Sequence, residues 1–356
     1  MRHTPTTSRT RRLLTTLLGA ATAVAIAATL HTTPASATTA TTPWLKPVLG
    51  GLLDRQKPPP EAYQGSVDGY VVEVAWADLQ PLAGAPLATN NAIDDAIATA
   101  KTRGLKLKLR VTAGIDTPQW AKQLGGDPIQ VQDDYGNTGT IGRFWTARFA
   151  SAYQDLQTKL AARYDNVPEL TMTQITRCTT FYAEPFLRQA RNPDSVTNLL
   201  AAGYTATLDE ACHRQQVDTH KLWTHTRSGL SFNPYQRIAA DGSVSNEVAF
   251  SQQMMSYCRQ QLGARCVLEN HSIRTLDQGP LYDDLYLAIR TLGGPICFQT
   301  AAPDRIGDLG GTLKWAVQQG AASVELPSSY RTTASPASLL SYNRQLTTIA
   351  TAASSS

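Results

Sequence analysis

Glu184 and Glu325 are the two carboxyls on which chemistry is most readily built. Glu184 lies in the Ala183-Glu184-Pro185 turn that ends LTMTQITRCTTFYAEP (170–185), and Glu325 lies in SVELPSSY (323–330). Two carboxyls flanking a glycosidic bond can protonate the leaving oxygen and activate a water. Around them fall Trp76, Asp78, Arg110, Asn233, Asn270, His271, Gln299 and Tyr330, each at or just past the end of an apolar stretch. Aromatic faces stack on sugar rings, while amides and Arg bond their hydroxyls, so an oligo- or polysaccharide is the expected partner. Glu184, among Phe181, Tyr182 and Phe186, is expected to be the general acid, with Glu325 held anionic by Arg110 as its partner.

Several of these residues have a purely structural alternative. Glu325 also fits a buried ion-pair partner for Arg110. Glu269 precedes Asn270 and, if Asn270 points inward, faces out toward a salt bridge behind the sheet. Glu73 reads as a polar filler inside the second strand, and Trp76 and Trp120 fit a core. The Asn270-His271-Ser272 sequon is discounted as a chance match.

Metal and cofactor chemistry lack a motif. His213, His220 and His225 show no metal-ligand spacing. There is no P-loop, Gly-x-Gly-x-x-Gly or Gly-x-Ser-x-Gly, so no cofactor and no metal are expected.

These residues need a scaffold that gathers strand ends. FWTARFASAYQDLQTKLAARYDNVP carries Phe144, Ala147, Phe149, Tyr153, Leu156, Leu160 and Tyr164 at helical spacing, and Asn166 and Pro168 close it. A strand from Leu170 follows. LKPVLGGLLD (45–54), VDGYVVEVAWADLQP (67–81), LKLKLRVTAG (105–114), GLSFNP (229–234), RCVLENHSI (265–273), PICFQTA (295–301) and SVELPSSY supply seven more strands. Amphipathic helices, several closed by Gly, separate most of them, and a helix pair fills 188–226. This alternation predicts an α/β fold, a single (β/α)8 TIM barrel over 45–352, with the site at the strand C-termini. The fourth and eighth strands then face each other, which favours an inverting separation of the two carboxyls.

VVEVAWADLQP, LRVTAGIDTPQW and the helix ending AARYDNVP before a strand and Ala-Glu-Pro resemble the clan A glycoside hydrolases, the beta-galactosidase-like (β/α)8 families. The resemblance implies an acid/base Glu after the fourth strand, matched by Glu184, and a nucleophile after the seventh. The chain departs from it in carrying Ala183 where those families have Asn, and Gln299 at the nucleophile position. A neutral amide cannot form a glycosyl ester. The reading is therefore a glycoside hydrolase-like barrel. The alternative is a carbohydrate-binding barrel that no longer hydrolyses.

Residues 1–37 read as a secretory signal peptide, with an Arg-rich start, an apolar run from Leu13 to Leu30 and the site Ala35-Ser36-Ala37. Residues 38–44 read as a linker, and the protein is expected to be secreted and monomeric. Four of the 32 basic residues and none of the 28 acidic ones precede Ala37, so the rest of the chain carries equal numbers of each sign. No nucleic-acid footprint and, beyond the leader, no membrane segment is expected. Of the five cysteines, Cys178 with Cys212 and Cys258 with Cys266 are the expected pairs, leaving Cys297 buried and free.

Overall fold

The computed structural model describes residues 44–355. The signal-peptide reading and most of the linker lie outside that range. Eight parallel strands close into a barrel: β1 Gly51–Asp54, β2 Gly69–Ala75, β3 Lys106–Thr112, β4 Leu170–Gln174, β5 Arg227–Ser231, β6 Cys266–Ile273, β7 Ile296–Thr300 and β8 Ser323–Leu326. Each pairs with its neighbours in sequence order, and β8 pairs with β1. This is the expected single (β/α)8 barrel.

The helices form because their sequences supply both a face and ends. In α1 (Ala92–Arg103) Asn91 and Asp94 make a reciprocal capping box, and Gly104 at φ 66° closes the helix. In α2 (Ala147–Tyr164) Thr146 caps the start, while Phe149, Tyr153, Leu156, Leu160 and Tyr164 are buried against the strands. Two helices, α3 (Pro193–Ala201) and α4 (Ala206–Thr219), fill the excursion after β4. The remaining outer helices are α5 (Ala249–Leu262), α6 (Pro280–Leu292), α7 (Leu309–Gln318) and α8 (Pro336–Ser354). Two antiparallel hairpins, Ile129–Ile141 after β3 and Tyr235–Glu247 after β5, are additions that the sequence reading did not anticipate.

Most of the apolar core lies between strands and helices. The barrel interior has only a small apolar plug of Leu49, Leu53, Met172, Val267 and Cys297. Above the plug the interior is charged. Gly229 makes room for it: a Cβ there would meet Met172 Cε at 2.2 Å and Glu269 Oε1 at 2.5 Å.

Both expected disulfides, Cys178–Cys212 and Cys258–Cys266, are formed. Cys297 is free and buried, and burial pushes its thiol up to about 12. Among the described residues no helix is long and apolar enough to cross a membrane.

Candidate active site

Charged residues on three barrel strands meet on the inward pleats. On β3, Lys108 and Arg110 point in while Leu107 and Leu109 pack outward; β6 supplies Glu269 and β8 supplies Glu325. Lys108 Nζ lies 2.5 Å from Glu269 Oε1 and 2.6 Å from Glu325 Oε1. Arg110 Nη2 forks onto Glu325 at 2.8 and 2.9 Å. The side chains of Lys108, Glu269 and Glu325 are fully buried.

Burial alone would raise the Glu325 pKa, but the attraction of Arg110 and Lys108 overrides it and holds the carboxyl well below the ordinary value. Glu269 is lowered in the same way, its burial opposed chiefly by Lys108. Lys108 and Arg110 are raised despite their burial, mainly by these same carboxylates.

Glu269 therefore faces into the barrel, contrary to the sequence reading. The error is one of parity. Glu269 and His271 share the inward face, so Asn270 between them faces out, where Tyr286 Oη donates to its Oδ1 at 2.9 Å and it donates to the Phe232 carbonyl at 2.8 Å. Asn270 is fully buried and out of reach of both a ligand in the cup and glycosylation. Trp76 and Tyr330 are also withdrawn from the cup. β2 ends at Ala75, and the short helix Trp76–Leu79 drops the Trp76 ring among Trp120, Phe149 and Tyr153. β8 stops at Leu326 before Pro327, and Tyr330 is buried with its hydroxyl donating to Asp54 at 2.7 Å.

The other expected residues do converge. Glu184 is half-buried and accepts from Asn233 Nδ2 at 3.1 Å. Tyr282 Oη donates to Asn233 Oδ1 at 3.2 Å. Gln299 Nε2 donates to the His271 carbonyl at 3.3 Å, and His271 Nε2 lies 3.2 Å from Glu269 Oε2. Asp78 is exposed beside the mouth.

Residues missed in the sequence complete the cup. Gln174 is the central connector. Its Oε1 accepts from Arg110 Nε at 2.6 Å, and its Nε2 lies 3.1 Å from both the Ala183 carbonyl and His271 Nε2. Glu73 is at the mouth rather than the barrel centre: its side chain is 54% exposed, and Arg110 Nη1 donates to it at 3.1 Å. Asp116 sits in the turn after β3, which is pressed onto the β4 loop. There Ile115 N bonds the Thr180 carbonyl at 2.9 Å, and a Cβ on Gly114, at φ +60°, would stand 2.0 Å from the same oxygen. Burial raises the Asp116 pKa, helped by the charges of Glu73 and Asp78 and opposed by a bond from Thr112. The LKLKLR alternation of β3 was the signal available for Lys108. No local signal marks Gln174 or Asp116.

Over the mouth, the Ile129–Ile141 hairpin carries exposed Tyr135, whose ring lies 5.5 Å from the guanidinium of Arg305 on the β7 loop. Since β3 and β7 stand opposite each other in the barrel, this contact spans the opening. Tyr182 Oη braces the hairpin by donating to Asp133 at 2.5 Å. Among the described residues no group of three or more His, Cys, Asp or Glu is arranged to hold a metal ion.

No family model and no curated protein sequence matches this chain. Solved structures do resemble it in fold. The catalytic domain of the beta-amylase from Paenibacillus polymyxa superposes with a TM-score of 0.56 at 11% identity, covering 85% of this chain and 98% of that one. The cold-adapted beta-galactosidase from Rahnella sp. R3 gives a TM-score of 0.54 at 12% identity, covering 86% of this chain, which spans 58% of the larger protein. At such identities the likeness establishes the fold alone, the (β/α)8 barrel that the clan A resemblance implies.

Proposed function

We propose that the protein is a secreted glycoside hydrolase in which Glu184 and Glu73, rather than Glu184 and Glu325, are the working carboxyls. The observation that carries this reading is the difference in access. Glu325 is sealed beneath Arg110 and Lys108, whereas Glu73 and Glu184 each keep an open face in the cup. A single chain of contacts links them: Glu73 to Arg110, Arg110 to Gln174, Gln174 to the Ala183 carbonyl beside Glu184. Glu184 would protonate the leaving glycosidic oxygen while Glu73 serves as the second carboxyl, as base toward a water or as nucleophile. Glu325 then positions Arg110 and does not touch the substrate. The beta-amylase and beta-galactosidase neighbours support a carbohydrate substrate, and the two disulfides suit export.

The test is turnover on a panel of plant and microbial glycans, with the product anomer followed by NMR. Glu184→Gln and Glu73→Gln should each lower turnover roughly 10²-fold or more, and the product anomer tells whether Glu73 activates a water (inversion) or bonds the sugar itself (retention). An Asp116→Asn variant reveals whether that neighbouring carboxyl supplies the proton instead. Two variants that keep the wild-type rate would refute the assignment. A binding reading has its own support in Gln174 and Gln299, neutral amides at the inward ends of β4 and β7. Glycan binding by the wild type without release of any sugar would put that reading in its place.

A further inference from the structure

Arg55 is a cation in the cup with no anion of its own. It follows Asp54, the last residue of β1, whose carboxylate turns outward to Tyr330 and Arg331. Strand alternation therefore sends Arg55 inward. It reaches past the end of β8 to β7, where Nη2 donates to the Thr300 carbonyl and, at 2.8 Å, to Thr300 Oγ1. Both acceptors are neutral. Nε is buried without a partner, and no bond from Nη1 is formed among the described residues. Nor is Arg55 in any ion pair among them.

The charged groups acting on Arg55 are Glu325, Arg110, Asp54 and Glu73. Each carboxylate in that set is already engaged: Glu325 by Arg110 and Lys108, Glu73 by Arg110, and Asp54 by Arg331, Tyr330 and the backbone N–H groups of Gln56 and Lys57. Burial lowers the pKa of Arg55, consistent with a guanidinium taken from water without compensation. The two free N–H donors of Nη1, on a permanent cation, match a carboxylate or a sulfate better than a neutral hydroxyl.

We infer that the cup selects an anionic saccharide, a uronate or a sulfate ester, with its charged group docked on Arg55. This deepens the carbohydrate reading of the same cup and rests on it. The experiment is calorimetric binding of an oligogalacturonate, its fully methyl-esterified form, a sulfated galactose oligosaccharide and the unsulfated parent. Wild type should bind one anionic member about tenfold or more tighter than its neutral partner, the better pair identifying carboxylate or sulfate. Arg55→Met should reduce that ratio to below about threefold, and Arg55→Lys, which keeps the charge but loses the planar guanidinium held on Thr300, should retain part of it. Circular dichroism and a thermal melt confirm folding; should Arg55→Met not fold, the Arg55→Lys ratio decides. Equal affinity for charged and neutral partners, or an unchanged ratio in the variants, overturns the role of Arg55 and leaves the carbohydrate reading standing. Binding of none of the four overturns both.

Discussion

The floor and the mouth of this cup are built from the same residue types and do different work. On the floor, Glu325, Glu269, Lys108 and Arg110 satisfy one another at 2.5–2.9 Å. At the mouth, Glu73 and Glu184 each have a partner on one side and an open acceptor on the other. Depth separates them. A charge remote from water must be paired to be tolerated, and a floor carboxylate, sealed beneath its cations, is closed to a ligand. A charge near solvent can stay partly unpaired at little cost, and that spare capacity is what binding and proton transfer require. A carboxylate is thus a better catalytic candidate for being incompletely satisfied.

Breaking the floor should have the largest effect. Glu325→Gln leaves Lys108 and Arg110 with an excess of buried positive charge and is expected to cost about 3–5 kcal/mol in denaturant unfolding. A variant of wild-type stability would show that the floor is not the structural half of the pair.

The loop that carries Glu184 is tied down by Cys178–Cys212, across 34 residues. Replacing both cysteines with Ser should remove up to about 3–4 kcal/mol by the chain-entropy estimate. It should also slow turnover, because the mouth would lose its ordered edge. Full stability and rate in the double variant would make the bridge incidental.

Acid should single out the floor next. Glu325 and Glu269 titrate below their ordinary 4.5 when folded, so their contribution is complete above pH 4.5 and drains away as pH falls through the folded values. Buried His213 and His220 are pushed down to about 3 from 6.5 by loss of hydration, so they start to erode stability sooner, below pH 6.5. A stability profile should therefore decline in two stages. Glu325→Gln should weaken only the lower stage; an unaltered profile would contradict the floor's ionised state.

The smallest effect belongs to the mouth. Glu73→Gln and Glu184→Gln should change unfolding free energy by less than about 0.5 kcal/mol while turnover falls, since neither group is sealed. A melting loss comparable to that of Glu325→Gln would erase the distinction.

The barrel was legible in the sequence because it is written locally. Apolar strands alternating with helices that carry their own faces and caps, as in Asn91 to Gly104 and Thr146 to Tyr164, admit few other arrangements. Glu184, Arg110, Asn233, His271 and Gln299 could be gathered on the same basis, since strand ends share one cup. The disulfide pairing followed from cysteines flanking single turns and excursions.

Which residues face the cup was a tertiary decision. Strand parity at Glu269 and Asn270 turns on a one-residue choice that no composition reveals. Trp76 has the outward parity of Val72 and Val74 and Tyr330 that of Leu326, opposite to Glu73 and Glu325, so both are buried behind the barrel wall. Whether Glu325 or Glu73 is open depends on where Lys108 and Arg110 reach from a third strand. The sequence determined which charges exist and on which strands they lie; long-range packing decided which of them were neutralised, because pairing between side chains far apart in the chain exists only once the barrel has closed.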